Sequence, residues 1–357
     1  MGILRPEESL KVEIEEFRLM LLSCAGVHGR KDEEEFRNKG VTTRDDAIEE
    51  KLVCVTSGVS FLGLAIVNRL LLRGYSVRII VTNEEDLEKV REMELSGEKR
   101  GANSNVTAVM AQLTELESLA EAFDGCHGVF HTAAFVDPAG LSGYSKSMAD
   151  IEVKASENVM EACARTTSVR KFLLTSSLLA CIWQDKSRSD LPSVIDHDSW
   201  SDESLCINKK LWYALGKLRA EKAAWRVAEG RGLNLVSICS GLITGPEFCC
   251  SNPTATIAYL KGAQEMYADR LLATVDVNRL AEAHIRVFEA MNKMAFGRYI
   301  CFDHIIEGDD ETQKLERQTG LQINIISGSG SASGNFPVQF ELSNLKLSGL
   351  MSRKPEC

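Results

Sequence analysis

The chain has 357 residues, 44% hydrophobic and 26% charged, enough to bury the core of one large α/β domain or of two lobes. Its formal net charge of −10 opposes a polyanion-binding surface, which argues against nucleic acid as a partner. The eleven cysteines show no Cys-x-x-Cys spacing and read as reduced thiols rather than a disulfide framework or a metal site, and no run approaches the ~20 apolar residues of a membrane span.

Residues 7–24 carry Leu10, Ile14, Phe17 and Leu21 at helical spacing between charges, an amphipathic helix that needs a surface to cover. Its own domain or a protein partner would serve. The acidic Glu13, Glu15 and Glu16 ahead of Leu19 are the wrong sign for a signal peptide, so the expected compartment is the cytosol. Residues 28–50 are dense in mixed charge and read as a solvated linker.

From Lys51 the pattern changes to short apolar runs alternating with helical ones. Strands are expected at 52–56, 76–81, 106–110, 128–132, 171–175, 234–239 and 298–302. Helices are expected at 64–73, from 84, at 116–123, 149–165 and from 211 to about 230, near 255–262 and at 279–291. A polar excursion, 184–208, interrupts this rhythm, and 327–334 is rich in Ser and Gly. The fold class is α/β: a doubly wound, Rossmann-type parallel sheet with a smaller C-terminal substrate lobe. The expected division is an extension over 1–50, a dinucleotide-binding domain over 51–240 that holds the catalytic residues, and a mainly substrate-binding lobe and tail over 241–357.

Chemistry concentrates at two places. In residues 211–217, Tyr213 and Lys217 stand one helical turn apart on one face. An ammonium beside a phenol favours its ionised form, so Lys217 is expected to lower Tyr213 from ~10 toward neutrality, and three units would take roughly 4 kcal/mol. A carbonyl reduced by hydride needs such a proton donor. Chance alone gives one Tyr-x-x-x-Lys with odds on the order of one in three at ordinary lysine usage, so the pair is not decisive alone. The second place is the turn after the first strand, Ser57-Gly58-Val59-Ser60-Phe61-Leu62-Gly63, where a dinucleotide's pyrophosphate is bound in such sheets. It keeps Gly58 and Gly63 but has Ser57 and Ser60. A non-glycine residue forced left-handed costs roughly 1–2 kcal/mol, and a serine hydroxyl bonding phosphate would offset part of that. Ser177, at a strand end, is placed to hydrogen-bond the substrate carbonyl, against the alternative of a strand-end turn. Asp276, His284 and His131 read as structural.

Residues 124–134, Thr175-Ser176-Ser177, 211–217 with 220–225, Gly245-Pro246, Val275-Asp276-Val277 and Ala283-His284 together resemble the extended short-chain dehydrogenase/reductase family. Within it the chain resembles plant cinnamoyl-CoA reductases, with dihydroflavonol reductases as cousins. The likeness covers residues 51–303. It implies a catalytic triad of Ser177, Tyr213 and Lys217 and NADP(H) as cofactor, with NAD(H) the alternative. The implied cofactor-binding residues are Ser57, Gly58, Ser60, Phe61, Leu62, Gly63, Arg78, Gln112, Leu113, Thr132, Ala133, Ala134, Ser176 and Ser240. The implied substrate is an aromatic acyl-CoA or aldehyde.

The chain departs from the family pattern at several of these positions. Thr82 stands where relatives place an Arg for the 2′-phosphate, with Glu84-Glu85-Asp86 after it and Arg78 as the remaining cation. Gln112 matches an adenine-contacting Asp. Leu211, Ala214 and Leu215 replace Asn, Cys and Tyr of the cinnamoyl-CoA reductase signature, while Trp212 and Gly216 are kept. Three functional expectations follow: an NAD(P)H-dependent reductase of a phenylpropanoid-type carbonyl, in the first place a hydroxycinnamoyl-CoA thioester reduced to the aldehyde; an interaction protein on a degenerate reductase fold, docking through the helix at 7–24; or a reductase of dihydroflavonol-type ketones or aldehydes that shares the triad.

Overall fold

The computed structural model describes residues 51–98, 105–132, 144–185, 193–246, 248, 253–319 and 340–353. The expected helix at 7–24, the linker at 28–50, Ala133, Ala134 and the Ser/Gly-rich stretch lie outside them. The apolar runs form seven strands: β1 (Leu52–Val55), β2 (Ser76–Val81), β3 (Val106–Met110), β4 (Gly128–His131), β5 (Lys171–Ser177), β7 (Leu235–Ser240) and β10 (Gly297–Cys301). They make one sheet in the order β10-β7-β5-β4-β1-β2-β3, every pairing parallel. β4, β5 and β7 are buried along their length, as strands covered on both faces must be.

The crossovers are α1 (Phe61–Leu72), α2 (Glu84–Glu98), α3 (Leu116–Phe123), α4 (Lys146–Arg165) and, after β5, α6 (Trp212–Arg231). Two of these boundaries have a plain local cause. Ser145 accepts a bond from the Met148 amide at the start of α4, and α6 stops where Gly232 turns left-handed at φ 66°. α4 and α6 pack along their length on one face of the sheet. The chain turns from β3 back across β1 to β4, so the sheet's switch point, where ligands bind in this topology, lies between β1 and β4.

Three regions differ from expectation. The polar excursion contains β6 (Val194–Ile195) and α5 (Glu203–Asn208), and β6 pairs with the distant β12 (Glu341–Leu342). The helix expected near 255–262 is two short ones, α7 (Pro253–Tyr259) and α8 (Ala263–Ala268), separated by Gly262 at φ 91°. The chain beyond 240 is not a lobe throughout. β8 (Leu242–Thr244), β9 (Ala273–Asp276) and β11 (His304–Ile305) form a small sheet, but α9 (Val277–Ala290) packs on α1, and β10 closes the main sheet. α10 (Asp309–Thr319) and α11 (Leu345–Met351) complete the described elements, α11 against α9 and β10.

Candidate active site

The carboxyl edge of the sheet gathers most of the expected residues. Ser177 ends β5 beside Ser240, which ends β7, and the two are in register. Tyr213 lies in the first turn of α6. Ser177, Tyr213, Ser240, Thr256 and Tyr259 line one cleft between the main sheet and α7. Ser177 Oγ accepts a bond from the Leu179 amide at 3.3 Å, which leaves its own hydrogen to donate. The Thr256 hydroxyl is buried without a partner among the described residues.

One turn along α6, the Lys217 ammonium lies 5.7 Å from the centre of the Tyr213 ring. It is not a free charge. Glu152 of α4 meets it at 2.6 Å, both side chains being almost wholly buried, and the Tyr144 hydroxyl donates to the other oxygen of the same carboxylate. The Tyr144 ring stands edge-on to Tyr213 with centroids 5.1 Å apart. Burial opposes the Lys217 charge, yet Glu152, with Tyr213 and Glu221, holds this lysine above its usual value. The expectation that Tyr213 falls from ~10 toward neutrality is corrected, although Lys217 acts in the expected direction. Burial is the largest influence on the phenol and raises it, Lys217 pulls down, Glu152 pushes up again, and the balance lies above an ordinary tyrosine.

Behind this face runs a second buried network. Glu221, one further turn along α6, accepts bonds from Ser176 Oγ at 2.7 Å, Ser237 Oγ at 2.6 Å and Arg298 Nε at 2.8 Å. Arg298 stacks on Trp200 at 3.6 Å and donates to the carbonyls of His197 and Ser199. Burial alone would raise Glu221, but Arg298 and the serines hold it below the usual carboxylate value. Ser176, expected at the cofactor, thus points its hydroxyl to Glu221. His131, at the end of β4, bonds Thr56 Oγ1 at 3.0 Å, and burial, helped by Lys217, pushes it down to about 3.

The turn after β1 differs from its expected form in a way that favours binding. Neither Ser57 nor Ser60 has a positive φ, so the left-handed strain does not arise. Ser60 is the N-cap of α1 at φ −74°; its hydroxyl donates to Ser57 O at 2.7 Å and accepts from Gly63 N at 3.1 Å. The hydroxyl is accordingly occupied within the turn rather than free for phosphate. Gly63 is required by close approach, since a Cβ there would stand 1.8 Å from Ser57 O. Gly58 is buried beside it, Leu62 is buried, and Phe61 packs on both neighbouring apolar clusters. Among the described residues the amides of Phe61 and Leu62, opening α1, have no protein acceptor. An unstrained turn with two amides left without a protein acceptor at a helix start fits a pyrophosphate.

Other expected cofactor residues are distributed less simply. Gln112 donates to Thr82 O at 3.0 Å, joining the loops after β2 and β3 at the carboxyl edge. Leu113 is buried in the core, and the Thr132 amide donates to Thr56 Oγ1 at 3.3 Å. Arg78 is a correction. It lies on β2 beside Cys54, and its guanidinium donates to the carbonyls of Ala122 and Asp124 at 2.8 and 2.7 Å, where α3 ends. Because α3 runs back to the start of β4, those carbonyls lie at the amino edge, away from a 2′-phosphate. The first cation after β2 is Lys89, paired with Glu85 and Asp86. Asp276 caps α9, and His284 bonds Thr175 Oγ1 and Leu280 O, the structural roles expected.

Residues 54–293 match the 3-beta hydroxysteroid dehydrogenase/isomerase family. The chain belongs to this family of extended short-chain dehydrogenase/reductases. Cinnamoyl-CoA reductase 1 of Petunia hybrida is 36% identical over 278 residues, 76% of this chain and 78% of that protein. Among solved structures, vestitone reductase from alfalfa (Medicago sativa L.) is 26% identical with a TM-score of 0.58, covering 84% of this chain and 91% of that one. A yeast methylglyoxal/isovaleraldehyde reductase solved with NADPH, 18% identical at a TM-score of 0.61 over 85% of this chain and 93% of its own, shares the fold. For a member of the family, Glu152, Tyr144 and the Glu221–Arg298 pair are the residues that sequence reading missed. One signal was present: Glu152 falls in the stripe Ala149, Glu152, Ser156, Val159 that α4 buries, where a lone carboxylate needs a cation.

Proposed function

We propose that the chain is an NADPH-dependent reductase of an aromatic carbonyl, in the first place a hydroxycinnamoyl-CoA thioester reduced to its aldehyde with release of coenzyme A. The observation that carries this reading is the convergence of Ser177 and Tyr213 on one cleft at the carboxyl edge, with Lys217 behind Tyr213 on the same helix face. The 36% identity to a cinnamoyl-CoA reductase supports the substrate class. Bound NADPH would supply the hydride. The chain's own part is to hold and protonate. Ser177, its lone pair engaged by the Leu179 amide, donates to the carbonyl oxygen and orients it. Tyr213 gives the proton that meets the negative charge growing on that oxygen. The amides of Phe61 and Leu62 and the turn around Gly63 would receive the pyrophosphate.

Titration with NADPH and with NADH, followed by nucleotide fluorescence, tests the cofactor; NADPH consumption with feruloyl- or coumaroyl-CoA tests the reaction. Tyr213→Phe is expected to lower kcat about 10²–10⁴-fold while nucleotide affinity stays unchanged. Turnover of a dihydroflavonol or free aldehyde without turnover of the thioester would replace the substrate. Unchanged turnover in Tyr213→Phe, or no binding of either nucleotide up to millimolar, would overturn the reading.

A further inference from the structure

A buried lysine one turn from a phenol is ordinarily a device for making phenolate, yet here the lysine is already spoken for. Lys217 Nζ and Glu152 Oε1 are 2.6 Å apart, and the second carboxylate oxygen takes the Tyr144 hydrogen bond. Both partners are fixed by packing: α4 and α6 run against each other, and Gly216 lets them approach, since a Cβ there would stand 2.7 Å from Tyr144 Oη and 3.1 Å from Ala149 Cα. We propose that Glu152 is a positioning residue of this site: its carboxylate anchors the Lys217 ammonium and offsets its charge, so that Tyr213 meets the substrate as a neutral phenol, the form that donates a proton to a reduced carbonyl. This rests on the reading of Tyr213 as proton donor.

The other groups around Tyr213 and Lys217 do not substitute for Glu152. From β4, His131 is held neutral by burial. On α6 itself, Glu221 is matched by Arg298 of β10 at 2.8 Å. Tyr144 leads into α4 and is kept protonated by burial and by Glu152, and the exposed Asp150 acts on it in the same sense. Tyr259 of α7, buried at the far side of the cleft, is likewise held as the neutral phenol. With the carboxylate removed, the Lys217 charge would no longer be offset by Glu152 and would draw Tyr213 down toward phenolate, the form that cannot give a proton.

The test is alkaline ultraviolet titration of the full-length protein, in which the signal of a protein minus that of its Tyr213→Phe partner isolates the Tyr213 phenolate. Glu152→Gln is expected to lower the Tyr213 midpoint by about one pH unit or more, and Glu152→Asp, which keeps the charge, to leave it near the wild-type value. The pair Glu152→Gln/Lys217→Met, which buries no lone charge, should also titrate near wild type. If Glu152→Gln does not fold, Lys217→Met alone decides, because an unopposed Glu152 should raise the midpoint above that of the double variant. A midpoint that does not move in Glu152→Gln, or is the same in Lys217→Met and the double variant, overturns the proposal. No substrate enters this titration, so its outcome is separate from whether a thioester is reduced. Where NADPH is consumed, the alkaline limb of kcat should move with the same midpoint.

Discussion

At the scale of the residue, the site depends on what surrounds Tyr213 more than on the Tyr-Lys spacing itself. Gly216 shows how tightly that surrounding is packed. An added methyl would push Tyr144 off Glu152 or part α4 from α6. Gly216→Ala is expected to cost about 1–3 kcal/mol, seen in urea unfolding as a lower midpoint at unchanged slope. Glycine's intrinsic penalty inside a helix works the other way by roughly 1 kcal/mol, so a gain in stability would mean that Tyr144 moves aside freely. The spacing of Tyr213 and Lys217 was legible because helical geometry is local. The charge on Lys217 was not, because its partner is on another helix, and a sequence does not say which carboxylate reaches which ammonium.

At the scale of the element, the turn between β1 and α1 joins folding to binding. Ser60 caps the helix and closes the turn with the same hydroxyl. Ser60→Ala should cost about 1 kcal/mol, and Ser60→Gly only a few tenths, since glycine is itself a tolerated cap. Equal losses in the two variants, measured by urea unfolding, would show that the cap bond contributes nothing. The repeated strand–helix pattern was readable because the central parallel strands are short runs buried on both faces and the crossover helices are longer and mixed. What escaped were the elements with no local signal. The two-residue strands β6 and β12 exist because Val194 meets Glu341 and Ile195 meets Leu342 across a long separation in sequence.

At the scale of the whole molecule, buried imidazoles set the response to acid. Burial pushes His131 down to about 3 and His284 down to about 4, against ~6.5 for an unfolded chain. Above ~6.5 neither state is protonated and these groups leave stability unaffected; as pH falls below it, only the unfolded chain takes up protons. The folded state therefore loses up to about 1.4 kcal/mol per pH unit for each histidine until the folded values are reached. Urea unfolding between about pH 5 and pH 7 should show stability rising with pH, and His131→Asn should remove about half of that slope. An equal slope in the variant would assign the acid response to other groups.

Short apolar runs alternating with helical ones, the glycines after β1 and the Tyr-Lys spacing determined the sheet and its carboxyl edge, because those signals act over a few residues. Only the tertiary structure decided that Ser57 and Ser60 lie without strain, that Arg78 turns to the α3 carbonyls, and that Glu152 occupies Lys217. Each of these depends on what a side chain meets after distant segments pack. Burial then magnifies the result, since a charge removed from water is governed by the one neighbour it finds.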